Sequence, residues 1–310
     1  MSRINETQVP FFLFSGLTDD GRLAPFLFIF FTLVYAVTVI GNAGMITLVH
    51  TTSSFHTPMY YFLSYLSVVD LCYSSVITPK MLCDLWSRMK SISYNGCALQ
   101  LFFFAGLAVT EALLLSGMSY DRYAAICHPL HYNSIMTRKK CWGLVLLASS
   151  IGFLQSLVQT SCVFSLQYCG SNIIDHFYCD IPPLLKLSCS KTLPCDTVTV
   201  FFTCSCGIGS MVLVLTSYSL IVASILRMKS AEGRQKAFST CSSHIMCISI
   251  FYGTVFFIYL RPPTAALEKR DKVVSVFYSV IIPMLNPLIY SLRNQEVKKI
   301  MMKVINKSNQ

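Results

Sequence analysis

The chain has 310 residues, of which 54% are apolar and only 12% are charged, whereas roughly 25% of an ordinary soluble domain is charged. This composition excludes a soluble globular protein, because so few polar residues cannot cover the surface of a fold of this size. The apolar residues are spread through the whole chain, which indicates a membrane domain throughout rather than a soluble domain with an anchor.

Seven stretches are long and apolar enough to cross a bilayer as helices, since one crossing needs about 20 mostly apolar residues. The first has no charged residue from Leu23 to Val49 and no basic region before it, so we interpret it as a span and not as a cleaved signal peptide. The predicted spans are 24–49, 58–79, 98–120, 142–164, 197–226, 238–260 and 273–292. The sequence therefore predicts an all-α membrane protein with a single seven-helix domain, residues 24–292, between a terminal segment 1–23 and a tail 293–310.

Lys and Arg residues predict the orientation of these spans, because cytoplasmic loops carry the basic excess. Only Asp121, Glu232 and Glu296 oppose the basic residues on one predicted side. These basic residues are Arg122, Arg138, Lys139, Lys140, Arg227, Lys229, Arg234, Lys236, Arg293, Lys298, Lys299, Lys303 and Lys307. We therefore expect an extracellular N-terminus and a cytoplasmic C-terminus, and we attribute the basic face to topology and anionic lipid rather than to nucleic acid.

Two glycosylation sequons lie at opposite ends of the chain. Asn5-Glu6-Thr7 falls in the segment predicted outside the cell, and Asn306-Lys307-Ser308 falls in the tail predicted inside, where glycosylation cannot occur. We therefore expect sugar at Asn5 only.

Twelve of the fourteen cysteines fall into two groups. Eight lie in or at the ends of the predicted spans and are interpreted as small packing residues: Cys72, Cys127, Cys141, Cys162, Cys204, Cys206, Cys241 and Cys247. Cys97, Cys169, Cys179 and Cys189 lie on the predicted outer side, where thiols oxidise, and the residues alone leave three pairings open. An alternative interpretation of the segment from His176 to Asp180 is a metal cluster of imidazole, thiolate and carboxylate.

Two acidic residues, Asp70 and Glu111, fall inside predicted spans, where a charged side chain is costly unless it faces the bundle interior. Asn42 and Asn286 are uncharged residues in similar positions. These four residues are predicted to converge on Na⁺, a proton or a shared water network. The alternative is a protonated carboxyl that only holds helices together by hydrogen bonds.

Several segments at the ends of the spans resemble those of one receptor family. Span three ends in Asp121-Arg122-Tyr123, and span seven carries the sequence from Asn286-Pro287 to Tyr290. These segments resemble the DRY and NPxxY motifs of rhodopsin-like G-protein-coupled receptors. The segments from Phe55 to Tyr60, from Lys236 to His244 and from Tyr290 to Asn294 are more specifically similar to class II, or tetrapod-type, olfactory receptors.

This resemblance covers about residues 23–294 and carries several implications. It implies the rhodopsin-like seven-helix fold, disulfides Cys97–Cys179 and Cys169–Cys189, and a receptor in the plasma membrane of olfactory cilia. It also implies a small odorant as ligand, no enzymatic activity, and a stimulatory G protein of the olfactory type that raises cyclic AMP. The residues expected to form or gate the G-protein cleft are Asp121, Arg122, Tyr123, Tyr218, Lys236, Ser239, His244, Asn286, Pro287 and Tyr290.

The ligand pocket is expected between the outer halves of spans three, five, six and seven. The predicted lining is apolar and aromatic with a few hydroxyl groups, and it consists of Phe104, Ala105, Ala108, Phe202, Thr203, Cys206, Tyr252, Val255, Phe256, Tyr259, Val276 and Ser279. Amine receptors of the same superfamily carry an Asp 17 positions before the Asp of the DRY motif, where this chain has Phe104. A small, mostly apolar ligand is therefore expected, with Tyr252 and Tyr259 as hydrogen-bonding candidates.

The alternative function is a proton- or cation-coupled transporter that uses Asp70 and Glu111. Such a transporter would need internal repeats and helices broken at mid-membrane, and the sequence shows no repeat. An enzyme is not expected either, because the candidate nucleophiles are scattered over different spans.

Overall fold

Seven long helices dominate the computed structural model, which describes residues 9–18, 20–259 and 268–293. Six of them are long and apolar enough to cross a membrane, and span six brings the number to seven. The spans are Ala24–Thr51, Pro58–Trp86, Tyr94–Cys127, Arg138–Phe164, Leu193–Arg227, Ala231–Tyr259 and, in three consecutive pieces, Glu268–Val276, Phe277–Ile281 and Ile282–Arg293. The predicted all-α seven-helix fold is thus confirmed. Following the predicted orientation, we call the end that carries residues 9–18 the outer end and the opposite end the inner end.

Span two is longer than predicted, since it continues beyond residue 79 through Pro79 and Lys80 to Trp86. The ammonium group of Lys80 forms an ion pair with Asp84 one turn later and lies 5.5 Å from the centre of the Phe14 ring. These contacts satisfy the charge near the membrane surface. The charged residues therefore belong to the helix and do not end it.

A three-stranded sheet covers the outer end, and it was not predicted from the sequence. Strand β1 (Phe11–Phe14) lies in the middle, antiparallel to β2 (Ser91–Ser93) and parallel to β3 (Ile173–Ile174). Phe12 and Phe14 point from β1 into a small outer core, where they are 0% and 4% exposed. Strands of two to four residues carry too short an alternation pattern to be recognised in a sequence.

Span three lies at the centre of the bundle and packs against spans two, four and five. Large apolar side chains on other faces remain exposed, for example Phe26 and Ile40 of span one at 73% and 72%. Lipid is the environment in which such surfaces are stable, so these faces are consistent with a multi-pass membrane protein. The polar side chains are instead collected along the inside of the bundle.

Three disulfides tie the outer end together. Cys97–Cys179 and Cys169–Cys189 are present, as the family resemblance implies. The third joins Cys162, in the last turn of span four, to Cys195, in the first turn of span five. The interpretation of Cys162 as a packing residue was therefore wrong, because its apolar neighbours in sequence concealed a partner 33 residues away.

The described outer end does not support the metal interpretation of the segment from His176 to Asp180. The Cys179 sulfur is bonded to Cys97, and His176 directs its Nε2 toward the hydroxyl of Ser275 at 3.2 Å. Within the described residues, no group of three or more His, Cys, Asp and Glu side chains is arranged to hold a metal ion.

Candidate functional site

A polar centre lies between spans two, three and seven. Asp70, Glu111 and Asn286 are 0%, 2% and 3% exposed. The amide Nδ2 of Asn286 donates to both carboxylate oxygens of Asp70, at 3.2 and 3.1 Å, and to Oε1 of Glu111 at 3.2 Å. One amide group is thus shared by two buried carboxyl groups, which brings together three of the four residues that were predicted to converge.

Asn42, the fourth predicted member, is placed elsewhere. Its Nδ2 donates to the carbonyl oxygens of Thr38 and of Pro283, each at 3.0 Å. It therefore ties span one to span seven near the proline, rather than contacting the carboxyl groups. Gly41 permits this approach, because a Cβ atom at that position would lie 3.1 Å from the ring of Pro287.

The inner end holds the DRY segment in a closed arrangement. Nη2 of Arg122 donates to Oδ2 of Asp121 at 3.1 Å, and the hydroxyl of Tyr132 donates to Oδ1 of the same carboxylate at 2.8 Å. Asp121 is fully buried, whereas Arg122 is 9% exposed. Tyr132 was not among the predicted residues, because nothing in its loop pattern shows that the loop folds back on span three.

Two further inner-end tyrosines differ in their contacts. The hydroxyl of Tyr218 in span five forms a hydrogen bond of 2.7 Å with Nδ1 of His244 in span six. The hydroxyl of Tyr290 is buried and lies beside the thiol of Cys247 in span six. Both tyrosines lie in the inner half of the bundle, where the G-protein cleft is expected. Tyr123 bonds to the ring of His128 at 3.0 Å, and the side chains of Lys236 and Ser239 lie outside the described residues.

The outer half gathers aromatic rings around Phe104. Its ring centroid lies 5.1 Å from that of Tyr73, 4.9 Å from that of Tyr178 and 5.9 Å from that of Tyr278. Tyr178 and Tyr278 came from neither the predicted lining nor the motif search. Tyr178 joins it because the loop after span four folds over the bundle, which a sequence pattern does not show. Tyr278 lies in the middle piece of span seven.

The other predicted lining residues are distributed unevenly. Tyr252 is buried and its hydroxyl donates to Oγ of Ser210 at 2.7 Å, while Ser279 is fully buried and donates to the carbonyl oxygen of Ser275 at 2.6 Å. Ala105, Ala108, Phe202, Thr203, Cys206 and Val276 are partly buried. The side chains of Val255, Phe256 and Tyr259 lie outside the described residues, as does the sequon at Asn5.

Comparison with known proteins gives one consistent result. A family model described as olfactory receptor matches residues 31–308. Olfactory receptor 5AP2 of Mus musculus is 52% identical over 97% of this chain and 95% of its own length. Olfactory receptor 5F1 of Homo sapiens is 50% identical over 99% of this chain and 98% of its own length.

The match extends over nearly the whole chain, so it includes the polar centre, the DRY segment and the aromatic outer half together. Olfactory receptors are G-protein-coupled receptors with odorant ligands and are not enzymes, which agrees with the sequence-based expectation of a receptor. The chain belongs to the olfactory receptor family.

Proposed function

We propose that this receptor binds a small, mostly apolar volatile molecule in the outer half of the bundle, between spans three, five, six and seven. The observation that carries this proposal is the environment of Phe104, which is 6% exposed and surrounded by three tyrosine rings. Phe104 itself offers no carboxylate to a cationic amine at the place where amine receptors carry their Asp. Aromatic walls with few polar groups suit an apolar ligand held by one or two hydrogen bonds.

The hydroxyl of Tyr252 already donates to Ser210. An apolar ligand beside this ring therefore leaves no buried donor unsatisfied, whereas a ligand with a carbonyl group must compete for the same proton. This arrangement supports a preference for ligands with few polar atoms.

We propose further that ligand binding opens the inner end to a stimulatory G protein of the olfactory type, which raises cyclic AMP. Support comes from Arg122, held by one carboxylate at the bundle edge, and from Leu130, which is 94% exposed in the adjacent loop. An apolar side chain as exposed as Leu130 gains from burial against a protein partner, because removing apolar surface from water is favourable. The proposal includes the predicted orientation in the plasma membrane of olfactory cilia, with residues 1–23 outside and 293–310 in the cytosol.

The pocket is tested by cyclic AMP output in cells that express the receptor, measured against a panel of odorants. Phe104→Ala should raise the half-maximal odorant concentration at least about tenfold, equivalent to about 1.4 kcal/mol. Phe103→Ala is the matched control, since Phe103 is the next residue of the same helix and is 43% exposed. Equal effects of the two variants would contradict the proposed pocket, and no response to any odorant would contradict the proposed function.

The orientation has its own test. Glycosidase treatment should shift the mobility of the wild-type chain, and Asn5→Gln should abolish that shift, since the sequon at Asn5 is expected outside the cell. A shift that survives Asn5→Gln would contradict the proposed orientation or the assignment of the sugar.

We also propose that the polar centre holds either one proton or one Na⁺. Asp70 and Glu111 share a single amide donor, and two buried carboxylates that both stay ionised would repel each other strongly in lipid surroundings. The thermal midpoint of purified receptor should rise with NaCl but not with choline chloride if Na⁺ is bound, and Asp70→Asn should remove that rise. A midpoint insensitive to Na⁺ would favour the proton.

A further inference from the structure

An extended part of the outer loop, residues 175–178, lies along one face of span seven. We call it the latch segment. Three of its four residues contact span seven at positions three residues apart, which all lie on the same side of a helix. The three pairs are Asp175 with Lys272, His176 with Ser275, and Tyr178 with Tyr278.

The first pair is a charged one at the membrane surface. The Nζ atom of Lys272 donates to Oδ1 of Asp175 at 2.5 Å and to Oγ of Ser15 at 2.8 Å. Ser15 in turn donates to the same Asp175 oxygen at 2.8 Å. Asp175 therefore joins the N-terminal segment, the outer loop and span seven at one carboxylate.

The second pair is buried and uncharged. His176 is 5% exposed, and its burial lowers its pKa to about 3, so the ring that meets Ser275 is neutral. The backbone N–H of Gly16 donates to the carbonyl oxygen of His176 at 3.1 Å. Gly16 has φ +80°, a backbone conformation that other residues rarely adopt, so this turn toward His176 favours glycine.

The third pair leads toward the proposed pocket. The hydroxyl groups of Tyr178 and Tyr278 form a hydrogen bond with each other. Both rings pack against the ring of Phe104 in span three. The next residue, Cys179, is bonded to Cys97, also in span three. The latch segment is therefore attached covalently to span three on one side and by three side-chain pairs to span seven on the other.

We propose that the latch segment positions the wall of the ligand pocket, by holding the outer half of span seven at a fixed distance from span three. This inference rests on the proposed function, since it names residues that prepare the same pocket. Within this set, Asp175 and Lys272 are positioning residues and need not contact the ligand. When the latch is broken, the ligand must order span seven itself, which weakens binding without altering the inner end.

The pair between Asp175 and Lys272 can be tested by charge exchange. Asp175→Lys and Lys272→Asp should each raise the half-maximal odorant concentration about tenfold, with an unchanged maximal response at matched surface expression. The double variant restores an opposite-charge pair and should return to within about threefold of wild type. Lys191→Asp is the control, because it makes the same charge change at an exposed site in the same loop.

A double variant no better than the single ones would overturn the proposal. A reduced maximum with an unchanged half-maximal concentration would also overturn it, because that result belongs to coupling or to folding rather than to pocket positioning.

A second measurement separates this inference from the proposed function, since it needs no odorant. Ser275 is 5% exposed, so Ser275→Cys should react slowly with a membrane-impermeant thiol reagent in otherwise wild-type receptor, with the parent chain as background. Adding Lys272→Asp should accelerate labelling at least about fivefold, because the latch opens locally. Unchanged labelling would overturn the latch. If labelling is accelerated but the receptor responds to no odorant, the latch proposal stands and the proposed function is contradicted.

Discussion

The outer and inner ends of the bundle are held together by different kinds of interaction. Three disulfides and a sheet centred on β1 secure the outer end. The described inner end depends on single hydrogen bonds between elements, such as Tyr132 with Asp121 and Tyr218 with His244. Covalent links keep a pocket in one shape, whereas hydrogen bonds can be exchanged at a cost of about 0.5–3 kcal/mol each. The outer end is therefore the part of the receptor suited to keep one shape, and the inner end is the part suited to change conformation.

The largest expected effect comes from removing the disulfide between the outer loop and span three. Cys97→Ser should leave little receptor at the cell surface, because loss of a native disulfide typically costs about 2–5 kcal/mol and here also frees the latch segment. Surface antibody labelling against total protein measures this effect. Cys72→Ser, at an exposed free cysteine of span two, should behave as wild type. Normal surface levels for Cys97→Ser would contradict the view that disulfides hold the outer end together.

The next effect concerns the inner end. Arg122→Ala should abolish odorant-induced cyclic AMP while surface expression remains above about half of wild type, since it breaks a hydrogen bond and not a covalent link. Arg88→Ala, at an exposed arginine of the outer end, is the control. Cyclic AMP signalling that survives Arg122→Ala would contradict the proposed coupling mechanism.

A smaller effect is expected from the third disulfide. The double change Cys162→Ala and Cys195→Ala should lower the unfolding free energy by about 2–4 kcal/mol and thus the thermal midpoint of purified receptor. The half-maximal odorant concentration should change little, because this bridge joins spans four and five, whereas the latch segment is held to spans three and seven. A large change in odorant response with an unaltered midpoint would place this bridge in the ligand pocket instead.

The smallest effect is a dependence on pH. Burial lowers the pKa of His176 to about 3, so the folded protein keeps this ring neutral while the unfolded chain takes up a proton near pH 6.5. The stability that depends on this neutral ring is present above about pH 6.5 and is lost as the pH falls toward 3, by about 1–2 kcal/mol at pH 5. Hydrogen bonds from Lys272 and Ser15 lower the pKa of Asp175 below its usual value, so its ion pair with Lys272 persists between pH 7.5 and pH 5.

His176→Gln should therefore reduce the fall in thermal midpoint between pH 7.5 and pH 5 by a few degrees. His131→Gln, at an exposed histidine of the inner end, provides the comparison. An identical fall for all three proteins would show that His176 does not set the acid sensitivity of the outer end.

The sequence by itself determined the architecture and much of the candidate site. Spans are predictable because a bilayer imposes a minimum apolar length on every crossing, and that constraint is local in sequence. Asp70, Glu111 and Asn286 were predictable for a similar reason, since polar groups inside apolar spans must face the interior. The short segments that resemble olfactory receptors led to the family, which the comparisons then confirmed.

Only the tertiary structure decided how distant segments meet. Cys162 with Cys195, Tyr132 with Asp121 and Asn42 with Pro283 are pairs whose partners lie in different elements, and neither partner carries a local signal of the other. The latch segment belongs to the same class, because it depends on residues 15, 175 and 272 coming together at one point. Such residues come into contact only when the loops close and the whole bundle has formed. The periodicity of the sequence gives no information about these distant contacts.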